Sequence, residues 1–519
     1  MSLKKNKILW VDDEIELLKS HVLFLKSKGF DVDTVTNGRD AVNKISQGNY
    51  DLVLVDEMMP GMSGLETIEN IKDENSGLPI VMITKNEEES LMEKAIGRKI
   101  SDYLTKPVNP SQILMACKQI LEREKISSEH ISRSYMKEFR EISGRLYGDL
   151  DYEDWIDIYS KLAEYEVEFD DHPDLGMKEM LQEQIRNCNV EFGKFIENNY
   201  QKWLEEDIHF RPQLSNDLMS QYILPSLKEN QKVLFIVIDC MRLDQWLTFS
   251  PLLYDYFDIN LDYYFSILPS ATPFSRNSIF SGKYPNQLYK EYPDIWEDQE
   301  QTMNRYEPDF IKEVLKNEDL PSSISQKYIK VVNSEKGWRT EKMIKSYLDN
   351  NLISLVINFV DILAHRRSDS DFLKEVVPDE ASYRSVVRTW FKRSWIFSLL
   401  KKIGNYGFKV VLTTDHGSIR VMNDVKVKGD RETSPNVRFK YGTNLNASPK
   451  QALVIKEPEK YKLPSFDVNT NFLISKEDFY FVYPTNYNKY KNQYHNTFQH
   501  GGTSTEELIL STEELTRTA

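Results

Sequence analysis

Short, continuous apolar runs alternate with helical stretches at both ends of the chain. In the first 120 residues the runs are Ile8-Leu9-Trp10-Val11, Leu52-Val53-Leu54-Val55 and Ile80-Val81-Met82-Ile83, with helical patterns such as Glu14 to Ser27 between them. Unbroken apolar runs suit parallel strands buried on both faces, and the βα alternation predicts a doubly wound sheet. From about Gln112 to Asp207 the period lengthens to that of helices. Ile113, Leu114, Ala116, Cys117, Ile120 and Leu121 form one stripe, and Tyr135, Phe139, Ile142 and Leu146 another. A small helical bundle joining two larger units is expected there. After about His209 the alternation returns, with strands predicted over Val233 to Ile238, Ser354 to Val360 and Lys409 to Thr414. The expected class is α/β throughout, divided as residues 1–122, a helical bundle at 123–207, and a larger α/β domain at 208–519.

Length and charge sharpen this division. A chain of 519 residues with net charge −15 is too large for one core and too acidic to coat nucleic acid with its whole surface. Residues 121–230 alone carry net −12, and no basic helix-turn-helix pattern is present, which argues against a DNA-binding output. Val233 to Ile238, the longest strongly apolar stretch, is far too short to span a bilayer, so no membrane insertion is expected. The N-terminus shows no signal core. Cys117, Cys188 and Cys240 have no paired spacing, and a reducing cytoplasm is the natural setting. Neither GxxxxGK[ST] nor GxGxxG occurs, so nothing points to a Walker or dinucleotide site.

The strand ends carry the chemistry. Asp12 and Asp13 follow the first strand, Asp56 the third, and Thr84 ends the next; Lys106-Pro107 follows the last, Ser101 to Thr105. These ends converge on one crevice of a doubly wound sheet. Clustered carboxylates there repel one another unless a cation such as Mg²⁺ lies between them, and an aspartate so placed can accept a phosphoryl group. One aspartate after a strand is usually a turn residue; five positions in this order are not. Val11-Asp12-Asp13-Glu14, Asp56-Glu57-Met58-Met59-Pro60 with Gly64, Thr84 and Tyr103-Leu104-Thr105-Lys106-Pro107 resemble the receiver domain of two-component response regulators. The resemblance implies a (βα)5 fold with Asp56 as phosphoacceptor. It further implies Mg²⁺ held by Asp13, Asp56 and the Met58 carbonyl with help from Asp12, and Thr84, Lys106 and the aromatic Tyr103 as phosphate sensors.

The C-terminal domain holds a second constellation. Asp239 follows one predicted strand, Asp361 another with His365 four residues on, and Asp415-His416-Gly417 a third; His500-Gly501-Gly502 lies near the end. Mixed imidazole and carboxylate donors favour Zn²⁺ or Mn²⁺, and so many donors exceed one tetrahedral site. A nucleophile is expected at Pro269-Ser270-Ala271-Thr272-Pro273, where a helix pattern begins; Ser270 and Thr272 both qualify. Two metals about 4 Å apart can clamp the oxygens of an in-line phosphoryl displacement. Each element alone is bland. His500 could be solvated (His495 lacks the following Gly-Gly), and Asp361 and His365 could be a surface helix pair. The ordered set is specific.

Asp239, Ser270-Ala271-Thr272-Pro273, Asp361-x-x-x-His365, Thr414-Asp415-His416-Gly417, and His500-Gly501-Gly502 followed by Glu506-Glu507 resemble the alkaline phosphatase superfamily, and more narrowly its PglZ domain. The resemblance implies Thr272 as nucleophile. Asp361, His365 and His500 would bind one zinc; Asp239, Asp415, His416 and the Thr272 oxygen would bind the other. Arg242 and Arg276 lie just after Asp239 and Thr272 and are candidate phosphate holders. Lys426, Lys428, Arg431, Arg438 and Lys440, with Tyr441, form either a basic wall for flanking phosphates or a mobile charged loop. The whole arrangement resembles the PorX-type response regulators of Bacteroidetes. That family implies a partner histidine kinase, a sigma factor contact, control of type IX secretion and gliding, and zinc-dependent phosphodiesterase action on cyclic and linear oligonucleotides. A phosphorylation- or zinc-promoted homodimer is expected, in which the helical segment passes the receiver's state to the zinc domain. The rival reading is a scaffold that binds kinase and sigma factor, with structural zinc and incidental phosphatase activity.

Overall fold

The computed structural model describes residues 6–75, 77–85, 100–172, 175–296, 305–317, 320, 324–429, 436–485 and 487–518. The chain forms two compact units, Met1–Ser134 and Tyr135–Ala519, whose boundary falls within the helix Pro110–Arg145.

In the first unit the strands are β1 (Lys7–Val11), β2 (Asp31–Val35), β3 (Leu52–Asp56), β4 (Ile80–Thr84) and β5 (Asp102–Thr105). They pair in parallel in the order β2-β1-β3-β4-β5. The apolar runs are buried because both faces are covered. Leu9, Val11, Val53 and Val55 pack with Ala41, Ile45, Ile68 and Ile71 of the helices Gly38–Gln47 and Gly64–Glu74. Ile8, Trp10, Leu52 and Leu54 face Leu25, Ile113 and Cys117 on the other side. The alternation of strand side chains produces these two layers. The expected helix over Glu14 to Ser27 opens as a tight turn, Ile15–Leu18, and becomes α-helical only at Lys19–Ser27.

The second unit is built on a six-stranded sheet. Its strands are β6 (Val233–Ile238), β7 (Phe257–Phe265), β8 (Gln326–Val331), β9 (Leu352–Ile357), β10 (Lys409–Thr413) and β11 (Ile509–Arg517), in the order β7-β11-β10-β6-β9-β8. β10, β6, β9 and β8 run parallel, and β11 is antiparallel to both its neighbours. β9 stops at Ile357 rather than at Val360, because Phe359 and Val360 open the helix Phe359–Asp369. An apolar run does not by itself separate a strand from the buried face of a helix.

The middle region is helical, and from Tyr135 onward it belongs to this second unit. Helix Leu175–Trp203 packs on the sheet edge, with Trp203 5.1 Å and Phe192 6.3 Å from the Phe265 ring, and helix Tyr152–Asp171 packs on it, with Trp155 5.1 Å from Phe192. Two polar junctions fix them. Arg384 bonds Asp170 (2.6 Å), Glu166 (3.2 Å) and Asp244 (2.9 Å). The Asn189 side-chain oxygen accepts from the Thr505 backbone at 2.8 Å, and its amide donates to Glu506 at 2.9 Å.

One core position is under electrostatic stress. Glu513 on β11, opposite Leu412 and Leu261, is fully buried, and neither carboxyl oxygen has a hydrogen-bond donor in good geometry. Burial pushes its pKa up to about 8. Between the ordinary carboxyl range and that value the native state holds a proton that the unfolded chain has released. Stability contributed by this group is therefore full at low pH and falls as pH rises toward 8, by at most about 1.4 kcal/mol per pH unit. Glu513→Gln is expected to raise the melting temperature at pH 8–9 and to change it little at pH 5; an unchanged melting temperature at pH 9 refutes this.

Candidate functional site

In the first unit, β1, β3 and β4 deliver Asp12, Asp56 and Thr84 to one rim. The carboxylates of Asp12, Asp13 and Asp56 have oxygens within 4.8 Å of one another; Asp12 and Asp56 are buried and Asp13 is exposed. Lys106 reaches across with its Nζ 2.5 Å from Asp56 and 3.3 Å from Asp12. Burial raises the Asp56 pKa, Lys106 opposes this, and Asp12 and Asp13 add to the rise. Burial pulls Lys106 down, and its two carboxylate partners more than restore it. The Met58 side chain is exposed, and Tyr103 is half-buried against the core that holds Val53 and Val55. The Thr84 hydroxyl donates to the Glu57 carboxylate. Glu57 was not singled out in the sequence, although it adjoins Asp56 on a buried strand end.

In the second unit two triads adjoin. Asp239 follows β6, and Asp415 and His416 follow β10; their donor atoms lie within 4.8 Å of one another, and all three residues are buried. Asp361 and His365 stand one turn apart on the helix Phe359–Asp369, and His500 joins them. The His365 Nε2 is 3.2 Å from the His500 Nε2 and 3.2 Å from the Asp361 Oδ1. The His416 and His500 rings stack at 4.1 Å, bringing the two triads side by side. The His416 Nδ1 lies 3.1 Å from the Gly417 carbonyl. That carbonyl accepts a hydrogen bond from the Nδ1–H, so the Nε2 lone pair faces the site. Close approach shapes the rim as well: a Cβ at Gly417 would stand 1.8 Å from the Glu506 carbonyl oxygen.

Thr272 is the first residue of the helix Thr272–Ser281, with Pro273 after it, a favoured helix start. Its hydroxyl is 3.0 Å from the His416 Nε2 and 3.5 Å from the Asp239 Oδ1. Ser270 is fully buried and donates to the Gly502 carbonyl at 2.8 Å. His495 is exposed, beside the Met422 carbonyl.

The charges here suit a cation. Burial raises the Asp415 pKa to about 7, aided by the neighbouring Asp239 charge. Burial also opposes the charge on Asp239, but Arg276 and His416 outweigh it and hold that group low. Burial, with His416 beside it, drives His500 well below the ordinary imidazole range. Among the described residues, the Asp361 Oδ1 and Asp415 Oδ2 are buried with no hydrogen-bond donor in good geometry. Orphaned carboxylate oxygens beside imidazole nitrogens are a donor set that fits divalent metal ions.

The expected cations do not share one face. Arg276 is buried, 2.5 Å from Asp239, 2.8 Å from Glu307 and 3.5 Å from Asp415. Arg242 is buried against Asp244 (2.5 Å) and Glu380 (2.6 Å) and donates to the Ser418 carbonyl at 3.3 Å. Arg438 is fully buried, forked onto Glu507 at 3.0 and 2.5 Å. Lys440 is buried with its Nζ 4.9 Å from the Tyr483 ring, and burial lowers its pKa to about 7. Lys426 and Lys428 are exposed, and Arg431 lies outside the described residues. Asn358, which donates to Asp239 at 2.5 Å, went unnoticed in the sequence although it follows β9 at the same rim. Glu307, the partner of Arg276, had no local signal. Among the described residues, no helix is long and apolar enough to cross a membrane.

Residues 8–118 match the response regulator receiver domain family, residues 125–204 the PorX response regulator linker domain, and residues 218–511 the BREX system PglZ alkaline phosphatase-like domain. Among curated proteins, the chain is similar to the transcriptional regulatory protein CpxR homolog of Haemophilus influenzae, at 37% identity over 129 residues, 24% of this chain and 55% of that protein. It is also similar to the transcriptional regulatory protein ResD of Bacillus subtilis, at 34% identity over 119 residues, 23% of this chain and 49% of that one. The chain spans about half the length of these curated relatives. Among solved structures, the chemotaxis protein CheY4 of Vibrio cholerae is 27% identical with a TM-score of 0.22, covering 23% of this chain and 100% of that one. The response regulator TrrA of Thermotoga maritima, solved with Mg²⁺-BeF, is 31% identical with a TM-score of 0.21, covering 22% of this chain and 99% of that one.

Proposed function

Because this chain belongs to the PglZ alkaline phosphatase-like family, with a response regulator receiver domain and a PorX response regulator linker ahead of that domain, we propose that it is a phosphorylation-controlled, zinc-dependent phosphodiesterase acting on cyclic and linear oligonucleotides. One observation carries this reading: two triads of metal-ligating side chains adjoin at the rim where the Thr272 hydroxyl stands. Asp361, His365 and His500 would hold one ion, and Asp239, Asp415 and His416 the other. Two zinc ions would supply Lewis-acid stabilisation of phosphoryl oxygens and depress the pKa of a neighbouring hydroxyl.

The chain's own residues do the rest. Thr272, at a helix N-terminus, is the nucleophile: it gives up its hydroxyl proton, its oxygen bonds phosphorus as the bond from phosphorus to the leaving oxygen breaks, and the leaving oxygen takes up a proton; water then displaces the Thr272 oxygen from phosphorus and restores the hydroxyl. Arg276 and Asn358 fix the Asp239 carboxylate from behind, so that its other oxygen faces Thr272. Arg242 and Arg438 act as positioning residues for the loops after β6 and β10 and before β11, through Ser418 and Glu507.

At the receiver, Asp56 accepts the phosphoryl group from a histidine kinase; Asp12, Asp13, Asp56 and the Met58 carbonyl would hold a Mg²⁺ ion, which would supply charge neutralisation there. Thr84, Tyr103 and Lys106 read the result. The linker helices reach the metal rim's supporting loops through Asn189 and Arg384, which favours a population shift as the means of control. A phosphorylation-promoted dimer, a sigma factor contact and regulation of type IX secretion complete the reading.

Metal analysis combined with a panel of phosphate mono- and diesters tests the enzyme. The full chain is expected to purify with about two divalent ions per C-terminal domain, to lose diester hydrolysis on chelation, and to regain it with Zn²⁺. Chelated protein that hydrolyses diesters undiminished would sink it.

A further inference from the structure

β8 and β9 end at Val331 and Ile357, on the sheet edge that also carries Asp239 and Asp415. A cavity of about 470 Å³ opens there. That size is within the usual range for small-molecule sites, and in open α/β sheets ligands gather at this edge. The cavity has aromatic walls. The Phe359 and Trp390 rings stack at 4.2 Å, within 3° of parallel. Trp395, buried, lies against Gly337, where a Cβ would stand 2.0 Å from the indole nitrogen. Only glycine at position 337 lets this wall take its place.

The polar lining is one-sided in charge. Arg366 and Arg393 line the cavity, and among the described residues no carboxylate does. Both arginines are exposed, and neither forms an ion pair with a described carboxylate. The contrast is within the same unit, where Arg242, Arg276, Arg384 and Arg438 are all buried against acids. In a chain of net charge −15, two guanidinium groups that line the same cavity as these aromatic rings, with no carboxylate partner among the described residues, select a flat ring that carries negative charge.

The position ties this cavity to the metal rim. Phe359, Ile362 and Arg366 line it from the helix that bears Asp361 and His365 on a neighbouring face. The two sites are therefore about one helix diameter apart, ~10 Å. We propose that this cavity is a subsite for a nucleotide-like aromatic anion, stacking its ring on the aromatic wall and pairing its phosphate with Arg366 and Arg393. As a substrate subsite it rests on the phosphodiesterase reading; as a ligand site it does not.

The test uses the full chain stripped of metal with a chelator, so that the triads contribute no metal-bound ligand. Intrinsic tryptophan fluorescence is titrated with adenosine monophosphate, with adenosine (ring only) and with inorganic phosphate (charge only). Saturable quenching by the monophosphate is expected, at least tenfold tighter than with either fragment, and at least tenfold weaker in the double variant Arg366→Gln, Arg393→Gln. With metal restored, the same variant is expected to raise KM for a dinucleoside monophosphate at least tenfold, with kcat changed less than twofold. No quenching in the stripped wild-type chain, or equal affinity in the variant, overturns the subsite. Arginine-dependent quenching in a protein that hydrolyses no diester would overturn the enzymatic reading and leave the ligand site standing.

Discussion

Thr272→Val is expected to keep both metal ions and the fold while kcat for diester hydrolysis falls by about 10³-fold or more. The substitution preserves shape. Thr272 is half-buried at the first turn of its helix, where no intrahelical bond depends on its hydroxyl, and among the described residues that hydroxyl is hydrogen-bonded to His416 and Asp239. The change in stability should therefore stay within about 1 kcal/mol. Six other donors remain for the metals. What disappears is the oxygen that forms the new bond to phosphorus, and no neighbour replaces it, since Ser270 is committed to the Gly502 carbonyl. Melting temperature, metal content and kcat measured on one preparation decide the matter. A fall of less than tenfold would remove Thr272 from the reaction. The same variant separates enzyme from scaffold in the cell: a phenotype of the null strain that Thr272→Val fully complements would favour the scaffold.

How far the sequence reached depends on the kind of element. The runs at Ile8, Leu52, Ile80, Val233 and Lys409 announced their strands because parallel strands covered on both faces are apolar without interruption. The positions of Asp56, at the end of its strand, and of Asp239 and Asp415, just beyond theirs, were legible because a strand end has little freedom. Asp361 was legible as a ligand candidate but misplaced, since its apolar run continues into a helix. Cations were the least legible. The composition of the segment from Lys426 to Lys440 shows positive charge but not its partner, and Arg438 finds Glu507 across 69 positions of sequence. The stripe of Tyr135, Phe139, Ile142 and Leu146 showed that one helix face is buried, not that Tyr135 meets Tyr165 and Phe169. The Thr84–Glu57 contact was hidden for a related reason: an acid beside a phosphoacceptor reads as one more solvated charge until β3 and β4 are paired.

At the receiver, Asp56→Asn is expected to abolish phosphate incorporation from a small phosphodonor in the presence of Mg²⁺. Asp56 is buried, and its charge is opposed by burial and by Asp12 and Asp13 more than Lys106 supports it. A neutral residue of the same shape therefore relieves repulsion, and unfolding does not explain a loss of labelling. Lys106, 2.5 Å from the Asp56 oxygen, stands where it would contact a phosphoryl oxygen on that residue, whereas Thr84 must first leave Glu57. Wild-type protein should accept one acid-labile phosphate per chain, read by mass spectrometry, and the variant none. If the signal enters at Asp56, diester hydrolysis should respond to phosphodonor in the wild type and not in the variant. Equal labelling of the two proteins would refute the assignment. Labelling confined to the wild type with identical hydrolysis rates would keep Asp56 and refute its coupling to the metal site through the linker helices.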